Sequence, residues 1–159
     1  MEKLQLSNNK TLKLTNVLKC KINLVDEDMR IDTQVERMQS YIRTKGAVQI
    51  GPLIQYTNSY VNENGEMDID MVFMLQCNNY IHSVEQPYQM ESVLRVPDCM
   101  YVRYIGAEQT LKFAYDKINL AAFEEDIPLA GDSYTIFVNQ NKEEDKIVAD
   151  VFMPKKKKM

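Results

Sequence analysis

Carboxylates are the first residues in this sequence whose type and spacing could do chemistry. The run from Asn62 to Asp70 is rich in acidic and amide side chains, as a calcium loop is, but its spacing does not fit the EF-hand pattern. Asp68 and Asp70 lie two positions apart in a predicted strand and therefore share one face. They form either a solvated strand face or a carboxylate pair that meets a ligand or a basic partner. Asp70 is therefore a candidate binding residue.

Histidine and cysteine, which often act as general base and nucleophile in enzymes, are few in this sequence. His82 is the single histidine, and it lies in the predicted linker 78–87. Cys20, Cys77 and Cys99 are far apart and have no CxxC spacing, so we expect buried free thiols in a reducing cytoplasm rather than a disulfide or zinc site. No GxSxG, P-loop, GxGxxG or HExxH motif is present. The sequence predicts no catalytic residue, metal or cofactor, and hence a protein that is not an enzyme.

Aromatic residues form the other candidate set. Tyrosine combines an apolar ring with a polar tip, which suits it both to binding surfaces and to the edge of an ordinary core. Both interpretations remain open for the aromatic residues on predicted strands, which are Tyr56, Tyr60, Tyr101, Tyr104, Tyr134 and Phe137.

The composition is that of an ordinary globular domain. The chain has 159 residues, 45% of them hydrophobic and 26% charged, and we predict one domain over residues 1–154. The formal charge of −4 argues against a nucleic-acid partner. Residues 155–159 form a basic tail, and we expect Lys155 to Lys158 to be solvated rather than to contact a membrane. Residues 1–10 contain no apolar h-region, so we expect no signal peptide, and no apolar run has the length of a membrane span.

Hydrophobic periodicity divides the first half into a strand, a helix and two more strands. Residues 12–24 alternate between apolar and polar, with an irregularity at Asn16. A helix follows the acidic residues 26–28 and runs to Lys45, before a stop at Gly46. Strands are predicted at 53–61 and 67–77, and the Asn64-Gly65 pair between them favours a tight hairpin.

The second half repeats this order. Strands are predicted at 92–105, interrupted near Pro97, and at 133–139 and 147–153, with a helix over 107–125. The halves align at an offset of about 80 residues, which indicates an internal repeat. We predict an α+β fold in which two βαββ units, at about 11–78 and 91–154, form one antiparallel sheet backed by two helices. The other face of the sheet would be open for binding.

This pattern resembles the GyrI-like family, the effector-binding fold of some bacterial drug-responsive regulators. The resemblance is carried by the closing strand, 147–154, and by the segment 101–106 followed by a helix. It implies a tandem βαββ fold that binds lipophilic cations through a buried glutamate and aromatic walls. Asp150 stands where an acidic residue is expected but is shorter, and Thr135 stands where a second glutamate is common.

A second resemblance concerns the whole chain. Its length, its acidity, its lysine-rich end and the segment 46–54 look like the EsaE (EssE) type of accessory protein from type VII secretion loci of Firmicutes. Proteins of that type accompany a toxin substrate to the secretion machinery. The resemblance implies a protein partner.

Two functions follow. The preferred hypothesis is a cytoplasmic adaptor or chaperone that binds a type VII secretion toxin, with no enzymatic activity. The alternative is a small-molecule binder of the GyrI-like type that takes lipophilic cations. Hydrolysis of small electrophiles is a third reading. For the partner or ligand site we select Tyr56, Tyr101, Tyr104, Tyr134, Phe137, Asp70 and Asp150.

Overall fold

The computed structural model describes residues 4–22, 31–141 and 143–157. Within these ranges the elements follow the order strand, helix, strand, strand, twice over, so the α+β class and the βαββ order are confirmed. The elements are β1 (Leu6–Ile22), α1 (Ile31–Thr44), β2 (Ile54–Val61), β3 (Met67–Gln76), β4 (Tyr88–Gly106), α2 (Lys112–Glu124), β5 (Asp132–Asn141) and β6 (Lys146–Pro154).

The chain divides into two compact units. Lys13–Arg95 forms the first, called here the α1 unit, and the described residues of Met1–Leu12 and Val96–Met159 form the second, the α2 unit. Both β1 and β4 contribute residues to each unit. The units therefore begin and end elsewhere than the predicted repeats at 11–78 and 91–154.

In the α1 unit, β3 pairs in antiparallel fashion with β1 on one side and β2 on the other. Alternate residues of β1 face the helix, as the period-two pattern predicts, and Leu18 and Cys20 are almost fully buried. Met38 and Ile42, one turn apart on α1, pack into the same core with Phe73. The helix therefore covers one face of the three strands β1, β3 and β2, and the alternate strand residues lie on the opposite face.

The α2 unit has the same plan. Strand β6 pairs in antiparallel fashion with β4 and β5. The core joins Val102 and Tyr104 of β4 to Val151 of β6, against the helix residues Ala114 and Ile118. The neighbouring residues on β4 and β6 consequently lie on the face turned away from α2, called here the far face.

Both helices end in the left-handed region of backbone space. Gly46 has φ of 76°, which confirms the predicted stop, and Asp126 has φ of 55° at the corresponding place after α2. The second helix begins later than predicted, because a 3-10 turn over Glu108–Thr110 precedes it. The hydroxyl of Tyr104 donates to the carbonyl of Ala107 at 2.5 Å and thereby stabilises this turn.

Corresponding hydrogen bonds show which residues of the two units are equivalent. Asn16 and Asp98 both have positive φ, and their carbonyls accept from the backbone N–H groups of Cys77 and Lys155. The equivalent residues are therefore 82 positions apart in β1 and β4 but 78 apart in β3 and β6. The uniform offset of about 80 was wrong by one side-chain period in these strands.

These different offsets change which residue of the first half is equivalent to Asp150. At a uniform offset, Asp70 corresponds to Asp150, but the observed registers pair Lys21 with Val72 and Arg103 with Asp150. Val72 is thus the equivalent of Asp150. The repeat pattern survived the error because a shift of two residues keeps every side chain on its own face.

Several boundaries also differ from the predictions. Strand β1 begins at Leu6, and β4 starts at Tyr88 and runs through Pro97 without interruption. In the hairpin, Gly65 has positive φ but Asn64 does not, and the Asn62 side chain accepts hydrogen bonds from the backbone of Asn64 and Glu66. The loop is therefore closed by the Asn62 side chain. The predicted strand end at Leu24 and the acidic residues 26–28 lie outside the described residues.

The basic end of the chain is held in place at its start. The backbone N–H of Lys155 donates to Asp98 at 3.0 Å, and that of Lys156 donates to Pro128 at 2.8 Å. The predicted tail at 155–159 is therefore held through its backbone at Lys155 and Lys156, and residues 158–159 lie outside the described residues.

Candidate functional site

The far face of the α2 unit brings together a carboxylate, a guanidinium and aromatic rings. Register places Arg103 opposite Asp150, and places Tyr101 and Tyr134 on the two sides of Phe152. These five residues alternate with the core residues of β4, β6 and β5, and strand period alone assigns them to one face. They are called here the Asp150 cluster.

Asp150 accepts three hydrogen bonds from this cluster. Arg103 binds it through both carboxylate oxygens, with Nε to Oδ1 at 2.8 Å and Nη2 to Oδ2 at 2.9 Å. The hydroxyl of Tyr101 donates to Oδ1 at 2.7 Å. The Asp150 side chain is only 13% exposed, whereas that of Arg103 is 51% exposed. A buried charge of this kind requires a partner, and the planar guanidinium supplies it with little reorganisation.

Tyr101 connects the charged pair to the aromatic part of the cluster. Its ring lies 4.8 Å from that of Phe152, centroid to centroid, and the Lys10 ammonium lies 6.0 Å from its centroid. Burial raises the pKa of Tyr101 to about 12, and the hydrogen bond to Asp150 acts in the same direction. The hydroxyl is therefore protonated at neutral pH and remains a donor. The pKa of Arg103 is also raised, chiefly by its hydrogen bonds to Asp150.

Two of the predicted site residues lie elsewhere in this unit. Tyr104 faces α2 and is fully buried in the core, where its hydroxyl bonds to Ala107 and Thr110. Phe137 pairs with the core residue Ala149 and is likewise turned away from the cluster. The predicted pocket placed Tyr101 and Tyr104 together, but residues three apart on a strand point to opposite faces. Tyr104 therefore serves the core.

The remaining two predicted residues belong to the α1 unit. Tyr56 pairs with Val72, and Asp70 receives the Lys21 ammonium at 3.5 Å. The Lys21 side chain is 70% exposed and that of Asp70 35% exposed, so this ion pair is largely solvated.

Arg103 and Phe152 were missed in the sequence, although a signal for both was present. Each lies two residues from a selected residue, Arg103 from Tyr101 and Phe152 from Asp150. Because alternate strand residues share a face, these two selections already implied their neighbours. The pairing of Arg103 with Asp150, however, required the register between β4 and β6.

The thiols and the single histidine show no sign of activation. All three cysteines are free and buried. Burial raises the pKa of Cys20 and Cys77, and that of Cys99 to about 11. Thiolate, the nucleophilic form, is therefore scarce at neutral pH. His82 is exposed and contacts the ring of Tyr80 edge-on, at 5.1 Å between centroids.

A shallow concave surface lies in the α1 unit, along the exposed side of α1. It encloses about 490 Å³ and is lined mainly by polar helix residues. Tyr41 and Tyr88 stack there with ring centroids 4.3 Å apart, and Glu85 accepts from the Tyr41 hydroxyl and from Lys45. Among the described residues, no group of three or more histidine, cysteine or acidic side chains is placed to hold a metal, and no helix is long and apolar enough to cross a membrane.

Solved structures identify the fold. The C-terminal domain of EcmrR matches with a TM-score of 0.70 and 15% identity, the alignment covering 98% of this chain and 99% of that domain. The chain has the GyrI-like fold. In the complex of EcmrR with DNA in EcmrR-RPo, the alignment covers 58% of the EcmrR chain at 14% identity and a TM-score of 0.70. The present chain thus spans a little over half the length of that protein.

A shared GyrI-like fold does not by itself show which ligand this chain binds. SAV2435, solved bound to tetraphenylphosphonium, matches with a TM-score of only 0.48 and 11% identity over 98% of this chain and 94% of that chain, too remote to assign its ligand here. No protein-family model and no curated protein matches the sequence. The comparisons thus support the GyrI-like resemblance at the level of fold, and they give no support to the type VII secretion resemblance.

Proposed function

We propose that this protein is a non-enzymatic binding protein for a small organic molecule, which it holds at the Asp150 cluster. The observation that carries the proposal is the buried carboxylate of Asp150, fixed by three hydrogen bonds beside the rings of Tyr101 and Phe152. Ligand sites typically combine apolar and aromatic walls with a few oriented polar groups. The GyrI-like fold supports the same choice, because its resemblance implies an effector-binding role.

The arrangement suits binding because its polar groups are already oriented. Tyr101 and Arg103 are fixed by Asp150 and lose little further freedom when a ligand arrives. Arg103 is half-exposed, and a guanidinium has more N–H donors than the two that Asp150 accepts. The cluster therefore presents both stacking surface and unused donors.

The absence of catalysis is part of the proposal. It is supported by the raised pKa values of Cys20, Cys77 and Cys99, which keep the thiols protonated, and by the exposed position of His82. We place the protein's action in the cytoplasm, whose reducing conditions preserve free thiols. The adaptor for a secreted toxin, our first hypothesis from the sequence, is not supported by any comparison and gives way to the small-molecule alternative.

Thermal unfolding with a panel of neutral, anionic and cationic aromatic compounds tests the proposal. A ligand present at 100 times its dissociation constant should stabilise the fold by about 2.7 kcal/mol. Phe152→Ala should abolish that stabilisation, since it removes the ring next to Tyr101. Asp70→Asn, which alters a solvated carboxylate of the α1 unit, should preserve it. A panel without any stabilising compound, or a response that Phe152→Ala leaves intact, would contradict the proposal.

A further inference from the structure

Asp150 carries its own counter-ion. Both of its carboxylate oxygens are bound by Arg103, at 2.8 and 2.9 Å, and Tyr101 adds a third hydrogen bond. A cationic ligand could reach this carboxylate only by displacing the guanidinium and breaking two charge-assisted hydrogen bonds. The carboxylate that the resemblance offered as a cation site is thus already neutralised within the protein.

The charges around the cluster favour the opposite sign. On the far face, Ile136 pairs with Asp150, and the next pair along β4 and β6 joins Ile105 to Val148; all three residues are uncharged. Arg103 and Lys10 contribute two positive charges near Tyr101, against one negative charge from Asp150. The exposed half of Arg103 retains N–H donors in the planar arrangement that matches a carboxylate, sulfonate or phosphate.

We infer that Arg103 determines the ligand class, so that the Asp150 cluster binds small aromatic anions and excludes aromatic cations. This inference rests on the proposed function. The ligand's acidic group meets the free side of Arg103, while its ring packs on Tyr101 and Phe152. Asp150 acts as a positioning residue that fixes the guanidinium in place.

Two ions of nearly equal shape and opposite charge provide the test. Titration calorimetry in sodium buffer measures the binding of tetraphenylborate and of tetraphenylphosphonium to the full chain. We expect tetraphenylborate to bind at least about tenfold more tightly, because the two ions differ only in the sign of a charge held near Arg103 and Lys10. In Arg103→Gln, which leaves Asp150 as an unpaired carboxylate, the preference should reverse. In the double variant Arg103→Gln/Asp150→Asn, whose paired amides carry no charge, only the smaller preference for tetraphenylborate that Lys10 supplies should remain.

The α1 unit provides the matched control. Lys21 occupies the position equivalent to Arg103, and Lys21→Gln removes the same charge from the chain. It should leave the preference for tetraphenylborate unchanged.

The outcomes separate the inference from the proposed function. Tighter binding of tetraphenylphosphonium by the unmodified protein overturns the inference and leaves the proposed function standing. The same holds if Arg103→Gln keeps the original preference, or if aromatic cations of the panel bind and its aromatic anions do not. If no compound and neither ion binds to any of these proteins, both fail.

Discussion

The two units of this protein share a backbone plan but differ in what they present on the face away from the helix. In the α2 unit, Arg103 donates two hydrogen bonds to the nearly buried carboxylate of Asp150. In the α1 unit, the equivalent Lys21 reaches a solvated Asp70 at 3.5 Å from the side, because Val72 occupies the position of Asp150. The comparison teaches that the repeat fixes topology and turns, whereas the chemistry depends on a few side chains that the repeat leaves free.

The neighbouring position shows the same divergence. Tyr101 in the α2 unit corresponds to Lys19 in the α1 unit, which pairs with Glu91 at 2.9 Å. One unit thus places an aromatic donor beside its carboxylate where the other places a second ion pair. The α2 unit combines a nearly buried carboxylate with two aromatic rings in tilted contact on this face.

The largest difference in stability between the units is expected in their cores. Phe73 and its counterpart Val151 are both fully buried. Phe73→Ala should lower the free energy of unfolding by about 3–5 kcal/mol, and Val151→Ala by about 2 kcal/mol, because the first leaves the larger cavity. Urea denaturation measures both losses. Equal losses would break the comparison and would indicate that the core around Phe73 collapses onto the vacated space.

The two carboxylates should differ next. Asp150→Ala removes the acceptor of Arg103 and Tyr101 and should cost about 1–2 kcal/mol of unfolding free energy. Asp70→Ala removes only a solvated partner of Lys21 and should cost about 0.5 kcal/mol or less. The measurement is again urea denaturation at neutral pH. A loss for Asp70→Ala that matches that of Asp150→Ala would contradict the ranking of the two faces.

The helix ends allow a smaller and more local comparison. Gly46 and Asp126 both adopt positive φ, which glycine accepts more readily than aspartate. Gly46→Ala should destabilise by about 1 kcal/mol through backbone strain alone, since nothing lies within 4 Å of the added methyl group. Asp126→Gly should stabilise by about 0.5 kcal/mol for the converse reason. Thermal unfolding of both variants tests this, and stabilisation by Gly46→Ala would exclude the strain.

The smallest effect concerns pH. The pKa of Tyr101 is raised to about 12 in the folded protein, above its ordinary value of 10.0, so the folded state holds its proton more tightly than the unfolded chain does. Its contribution to stability is therefore full below pH 10 and is lost as the pH rises toward 12. Tyr101→Phe should flatten the decline of unfolding free energy over this range. An unchanged slope would show that the pKa of Tyr101 is not raised in the folded protein.

Much of the fold was predictable because its signals are local. Alternation predicted the strands, the spacing of Met38 and Ile42 predicted α1, and Gly46 marked the end of that helix. The repeat was visible for the same reason, since equivalent residues keep their faces. Its offset was not, because the hydrogen bonds that set it join residues far apart, such as Asn16 to Cys77.

The site was predictable only in part. Asp150, Tyr101 and Tyr134 were selected and do lie on one face, as strand period requires. Tyr104 was selected with them because its type suited a pocket, although its position, three residues from Tyr101, assigned it to the core. The role of Arg103 as the partner of Asp150 depends on the register of two strands separated by more than 40 residues, which no local pattern encodes.

The three buried cysteines can report local unfolding of the protein, because each thiol must be exposed before it can react. Cys20 and Cys77 lie in the α1 unit and Cys99 in the α2 unit, and in each the raised pKa makes the enclosed thiol slow to react. Modification with a thiol reagent, followed by peptide mass spectrometry, therefore measures the rate at which each unit exposes its cysteines, without any engineered label. A ligand held on the α2 unit would be read out as a delayed modification of Cys99.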